Sequence, residues 1–440
     1  MRSRLLLAVV LALTACQSTG PAKVRQNTVA NGTPLTGTVV SLTFDDGTDD
    51  QFSTVRPLLA EHGMHGTFYV NSGRLGTEGY VTVAQLAAIA TDGNEIGGHT
   101  ITHADLPTLS RAGQQREICN DRVALTAMGF SPVSFAYPYG DANPMALNSV
   151  QACGYNSART VGGLVSPGSC QTCAYAESLH TRDPFLLSTS DSVKGSTNLE
   201  EYVTQAKRHG GGWVPLVFHH VCDACADPYS IQTKQFAAFL DWLKAQGTTV
   251  RTVGEVIGGT MRPTVPGPPS PLQVQNPTMS ALAIGGANES SEIHGIPACF
   301  EIGGYSTNTF TAARTKTRQG YTEQLTVTGY DAGARSILTR QDAGSCAPGI
   351  TPGHTYQISV RYQGAWSRVR VRLSLYYLTQ ASGWTFWTSG PSLPASGNLR
   401  QATMTTPPVP AGATNISFGI ALSGVGTLQT SDYSLTDVTK

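Results

Sequence analysis

Between Thr38 and Ile257 short β-prone runs alternate with amphipathic stretches. VVSLTF, VRPLLAEHG, HGTFYV, VTVAQLAAIATDG, NEIGGHT and SPVSFAYPYG follow one another, and ALNSVQACG, WVPLVFHHV and IQTKQFAAFLDWLKAQG extend the series. A helix after each strand carries the chain back to start a parallel neighbour, so this rhythm predicts a parallel α/β core with helices outside. Its last member reads as a helix ended by Gly247. Residues 258–272, GGTMRPTVPGPPSPL, have no periodicity and read as a semi-rigid linker. Beyond them HTYQISVRYQG, RVRVRLSLYYL and ATNISFGIAL alternate between turn-rich spacers, the pattern of a β-sandwich. At 440 residues two domains are expected, and no tandem repeat is present.

The stretch LTFDDGTDDQF, Leu42 to Phe52, sets a β-prone run against two adjacent carboxylates and a glycine. Neighbouring side chains on a strand point to opposite faces, so Asp45 and Asp46 serve one site only if the strand stops and the chain turns there. Gly47 permits that turn, and Asp49 and Asp50 read as solvated turn residues. A second signal is GGHTITHADL, with His99 and His103 four residues apart and thus able to reach one metal. In FAYPYG a strand ends in Pro138 and a turn, and in WVPLVFHHV an apolar run delivers His219 and His220. Four polar sets at four strand ends of a parallel α/β domain point to one site, because such folds build their sites there.

These segments resemble the motifs of the NodB-type polysaccharide deacetylases, carbohydrate esterase family four, over roughly residues 38–257. The TFDDG, HTxxH, PYG and LxxH segments occur in that family's order. The resemblance implies a deformed (β/α) barrel that holds one divalent metal, usually zinc, with cobalt, nickel or manganese as alternatives, between Asp46, His99 and His103. It makes Asp45 the general base and His219 the general acid. Tyr139, after Pro138, would offer its backbone N–H to an oxyanion, and Leu216 would line an acetyl pocket. The family's arginine two positions before the motif-three proline is replaced by Ala136, for which Arg182 is the proposed substitute. The fourth motif is not recognisable, and Asp183 in TRDPF is the nearest match.

From about Leu272 the chain resembles the carbohydrate-binding jelly rolls of bacterial glycan enzymes, through Asn276-Pro277 and IPACFEIGGYSTNTF. Trp366, Trp384, Trp387 and Tyr305 would either stack on sugar rings or fill the core. The fold expected is therefore α/β, a NodB-type barrel at 38–257, then an all-β jelly-roll sandwich at 273–440.

Arg2 and Arg4, the apolar run Leu5–Leu13 and small residues form a secretory signal over residues 1–16, whose LTAC end resembles a bacterial lipobox. Residues 17–37 would then be a tether. Without Cys16 eight cysteines remain, an even number that in an exported chain favours disulfides. The pairs Cys170/Cys173 and Cys222/Cys225 fit disulfides better than a structural zinc site, since no zinc-knuckle pattern surrounds them, and Cys299 is expected to pair with Cys346. With 29 basic and 29 acidic side chains and no basic run, nothing favours nucleic acid. The function expected is removal of N-acetyl groups from an extracellular or cell-wall polysaccharide of the chitin, peptidoglycan or poly-N-acetylglucosamine type. O-acetyl esters of xylan, or sugar binding without turnover, are the alternatives. No GxSxG motif supports a serine esterase. The expected partners are an N-acetylated polysaccharide and, through lipid on Cys16, a membrane surface; the protein is expected to be a cell-surface or secreted monomer.

Overall fold

The computed structural model describes residues 35–439 except 167–169, 283–292, 306–307, 318–319, 343, 345, 368 and 380–381. The expected signal segment, and all of the tether but its last three residues, lie outside the described residues.

Strand β1 (Thr38–Phe44) is the hub of the first domain. One side pairs in parallel with β7 (Gly212–Phe218) along its whole length. The other side pairs with β2 (Thr67–Val70) near its end and with β10 (Thr249–Val250) near its start. From β2 the parallel order continues through β3 (Glu95–Gly98), β4 (Ser134–Ala136), β5 (Ser157–Gly163) and β6 (Leu187–Thr189). After β6 the chain runs on beside β7, with Ser190 N–H donating to Pro215 O and Val193 N–H to Val217 O. The sheet therefore curls back on itself as a deformed (β/α) barrel. A short parallel pair, β8 (His220–Val221) with β9 (Ser230–Ile231), lies just past β7.

Six of the seven residues of β1 are buried, as expected of a strand enclosed on both faces. Phe44, Phe68, Phe218 and Phe236 stack edge and face, joining three strands to helix α6 (Thr233–Ala245). That helix does end at Gly247, whose φ of 59° is left-handed.

The linker is pinned rather than free. Arg122, fully buried on the 17-residue helix α3 (Arg111–Ala127), donates to the carbonyls of Arg262 and Pro263. Gly267 N–H donates to Asn120 Oδ1, and Arg116 donates to Pro269 O.

Beyond it two sheets face each other as a β-sandwich. One has the order β11 (Ile293–His294), β13 (Thr309–Thr317), β14 (Gly320–Gly329), β21 (Gly426–Asp437), β16 (Tyr356–Trp366), β19 (Ser396–Thr405). The other has the order β12 (Phe300–Tyr305), β15 (Ala334–Thr339), β20 (Ala413–Ser423), β17 (Arg370–Thr379), β18 (Gly383–Ser392). Apart from the short parallel β11–β13 contact, the ladders are antiparallel. Trp366 and Trp387 pack against the sandwich core beside Tyr362 and Tyr377, which favours the core reading of these two rings over the sugar platform. Glu323 on β14 is fully buried among these apolar side chains, and neither carboxylate oxygen has a hydrogen-bond partner.

The structure joins Cys119 to Cys153, Cys170 to Cys173, Cys222 to Cys225 and Cys299 to Cys346. Among the described residues no helix is long and apolar enough to cross a membrane.

Candidate active site

The strand β1 stops at Phe44. Asp45 N–H still donates to Phe218 O at the end of β7, whereas Asp46 turns to a left-handed φ of 75° and Gly47 follows at 74°. A Cβ on Gly47 would sit 3.0 Å from Val70 Cγ1, so the close approach to β2 as well as the backbone angle requires glycine. This turn frees two adjacent carboxylates from the alternation of the strand.

Asp46 Oδ1 lies 3.5 Å from His99 Nε2 and 3.3 Å from His103 Nε2, and the three ligand atoms fall within 4.8 Å of one another. His99 follows β3 directly, and its Nδ1 faces the carbonyl of Ala136 at 2.8 Å, which fixes the ring and leaves Nε2 toward Asp46. Burial alone would push the Asp46 carboxyl up, but the facing imidazoles of His99 and His103 outweigh it and hold it well below the ordinary carboxylate range. His103 is pushed down to about 3 by burial and by the charge of His99. A carboxylate and a neutral imidazole are the forms that ligate a divalent ion, and Asp46 Oδ1 is a buried acceptor with no hydrogen-bond donor. The three residues fit a metal; the donor set does not choose among zinc, cobalt, nickel and manganese.

Helix α3 shapes the loop that carries both histidines. Asp121 accepts from the N–H groups of Ser72 and His99, at 3.0 and 3.2 Å. Four residues earlier, Glu117 accepts from Ile101 N–H, Thr102 N–H and the Thr102 hydroxyl. The loop needs such anchors because Thr100 and His103 have φ values of 70° and 61°, unfavourable for residues with a side chain. Glu117→Ala is accordingly expected to weaken metal affinity about 10-fold to 100-fold, measured by metal titration of the chelated protein.

Asp45 is paired with Arg159, and both side chains are buried. Arg159 stands on β5 directly across from Ala136 on β4, so the guanidinium comes from the adjacent strand at the same register. Arg182 and Asp183 do not take these parts. Arg182 is exposed, Asp183 accepts from Phe185 N–H in its own turn, and the proposed substitute is thereby corrected to Arg159. The signal for Arg159 was a lone cation in an otherwise apolar and small-residue strand, SARTVGG.

His219 follows β7, with its ring 5.3 Å from that of Tyr229. Its Nδ1 is buried without a hydrogen-bond partner, in keeping with the unrecognisable fourth motif. Gln51, fully buried in a single π-helical turn, donates to the carbonyls of both Asp45 and His219 and clips the two strand ends together. Asp50 is not a solvated turn residue: it is buried and accepts from Val221 N–H and His220 Nδ1. Tyr139, 69% exposed with a φ of 61°, sets its ring 4.5 Å from His103, while Pro138 is buried beneath it. Leu216 is fully buried on β7, its carbonyl accepting from the Thr43 hydroxyl. The strand ends thus bring together Asp45, Asp46, His99, His103, Tyr139 and His219.

Residues 32–158 match the family model for polysaccharide deacetylase. A chitin deacetylase of Pestalotiopsis sp. is 35% identical over 156 residues, 34% of this chain and 51% of that protein. A putative polysaccharide deacetylase, YxkH, of Bacillus subtilis is 28% identical over 142 residues, 32% of this chain and 50% of that protein. The chain therefore spans about half the length of these curated relatives. A solved family 4 carbohydrate esterase from Streptomyces lividans, in complex with acetate, aligns over 52% of this chain and all of its own at 17% identity, with a TM-score of 0.35. Residues 32–158 thus match a polysaccharide deacetylase domain, and a C-terminal β-sandwich region follows farther along the chain.

Proposed function

We propose that this protein is a metal-dependent hydrolase that removes N-acetyl groups from a polysaccharide of the chitin, peptidoglycan or poly-N-acetylglucosamine type. One observation carries the reading: a three-residue metal set lies beside a buried carboxylate–arginine pair and a histidine, all at the ends of parallel strands.

An N-acetyl amide is unreactive and its amine is a poor leaving group, so its hydrolysis needs a water made nucleophilic, a home for the tetrahedral oxyanion and a proton for nitrogen. Asp46, His99 and His103 would hold a divalent ion that, when bound, supplies Lewis-acid polarisation and acidifies water. Asp45, oriented by Arg159, takes the proton from the attacking water. The Tyr139 backbone N–H donates to the developing oxyanion. His219 gives its proton to the departing amine nitrogen. Gln51 ties base and acid together at the strand ends by donating to the backbone carbonyls of both residues.

Four disulfides support a protein that works outside the cytoplasm, and a lipid on Cys16 would keep it at the cell surface. The test is acetate release by metal-loaded protein from chitooligosaccharides, peptidoglycan, poly-N-acetylglucosamine and acetylxylan. Release from an N-acetylated substrate is expected. Release from acetylxylan alone would replace the amide reading with the ester one, and none from any would leave sugar binding as the function.

A further inference from the structure

We propose that His220, Cys222 and Cys225 form a second metal site, separate from Asp46, His99 and His103, that takes a thiophilic divalent ion such as Zn²⁺ when the Cys222–Cys225 disulfide is reduced. One ring nitrogen of His220 and the two sulfurs lie within 4.8 Å of one another. Among the described residues this is the only His/Cys cluster apart from the catalytic set; the other CxxC pair, Cys170/Cys173, has no such histidine.

The histidine is already prepared as a ligand. Its Nδ1 is 3.0 Å from Asp50 Oδ1, and Asp50 is itself fixed by Val221 N–H at 2.7 Å. When the neutral ring donates Nδ1–H to this buried carboxylate, the lone pair is left on Nε2, the arrangement in which a second carboxylate orients and strengthens a metal-binding imidazole.

Hydrogen bonds anchor the loop in addition to the disulfide. Cys222 N–H donates to Ile231 O in extension of the β8–β9 pair, and Asp223 accepts from Thr233 N–H at the start of α6. Cys225 between these anchors is exposed, so a reductant reaches it, whereas Cys119 and Cys153 are buried. In the step proposed, a phosphine or dithiol reductant gives two electrons, the Cys222 Sγ–Cys225 Sγ bond breaks, and two protons from solvent complete the thiols. Binding of the ion as a Cys₂His complex then releases those two protons, since the ligands are thiolates.

The experiment uses the full chain, reduced with a phosphine until the exposed thiols titrate, then titrated with Co²⁺. An intense sulfur-to-cobalt charge-transfer absorption is expected, which an aspartate and two histidines cannot give. It should persist in the Cys170→Ser/Cys173→Ser double variant, vanish in Cys222→Ser and need at least about 10-fold more Co²⁺ in His220→Ala. A reduced, folded protein without that absorption, or an absorption that survives Cys222→Ser, would overturn the proposal. Should Cys222→Ser fail to fold, alkylation of the reduced wild-type chain decides instead. Protection of Cys222 and Cys225 by Zn²⁺ supports the site, and equal labelling with and without Zn²⁺ refutes it.

Discussion

Arg159→Met is expected to lower kcat for acetate release by about 100-fold or more while metal content stays at the wild-type level. Arg159 pairs with Asp45, which is not one of the three metal-set residues, so its loss strikes the base. Methionine fills similar volume but leaves Asp45 without the guanidinium that holds its carboxylate in one orientation toward the attacking water. Breaking a buried pair from one side also costs about 3 to 5 kcal/mol, so folding is checked first by thermal melting. The register supplies a rescue: Ala136 lies directly across from Arg159, and Ala136→Arg in the Arg159→Met background should recover part of the lost kcat. Full turnover in Arg159→Met would show that Asp45 needs no orienting cation.

The second large effect lies in the sandwich. Glu323→Gln is expected to raise stability strongly at pH 9 and little at pH 5. Burial pushes the Glu323 carboxyl up from 4.5 to about 8, against a smaller opposing pull from Arg314. The folded state thus holds a proton that the unfolded chain gives up. Stability from this group is fully present below about 4.5 and is lost as pH rises through about 8. The loss is on the order of 4 to 5 kcal/mol, since each pKa unit is worth about 1.4 kcal/mol. In melting scans the sandwich transition of the wild type should fall by roughly 10 °C between pH 5 and pH 9, and that of Glu323→Gln should stay nearly level. Parallel pH profiles for the two proteins would mean that Glu323 does not carry the proton.

The barrel was legible because its strands and helices alternate within short windows, and because Asp46, His99, His103 and His219 each stand beside a strand end that their own segment announces. Arg159 was not. The pairing of β4 with β5 is a relation between segments, and nothing local in SARTVGG says that its arginine faces the carboxylate of DDG rather than solvent. Glu117 and Asp121 were hidden as well: nothing in RAGQQREICNDRVALTA sets them apart from solvated helix charges, yet both are buried under the histidine loop. Asp50 looked like a turn carboxylate until β8 folded over it. In the sandwich, alternation revealed the strands but not which aromatic rings face inward. Trp366 and Trp387 were given to the core by the pairing of distant strands.

The most direct test of the catalytic assignment is paired measurement of bound metal and acetate release in wild-type protein and Asp45→Asn. The variant is expected to keep its divalent ion, because Asp46, His99 and His103 are untouched, and to lose acetate release by at least about 100-fold, because the base is gone. An Asp45→Asn protein that binds the ion and still releases acetate at the wild-type rate would contradict the assignment.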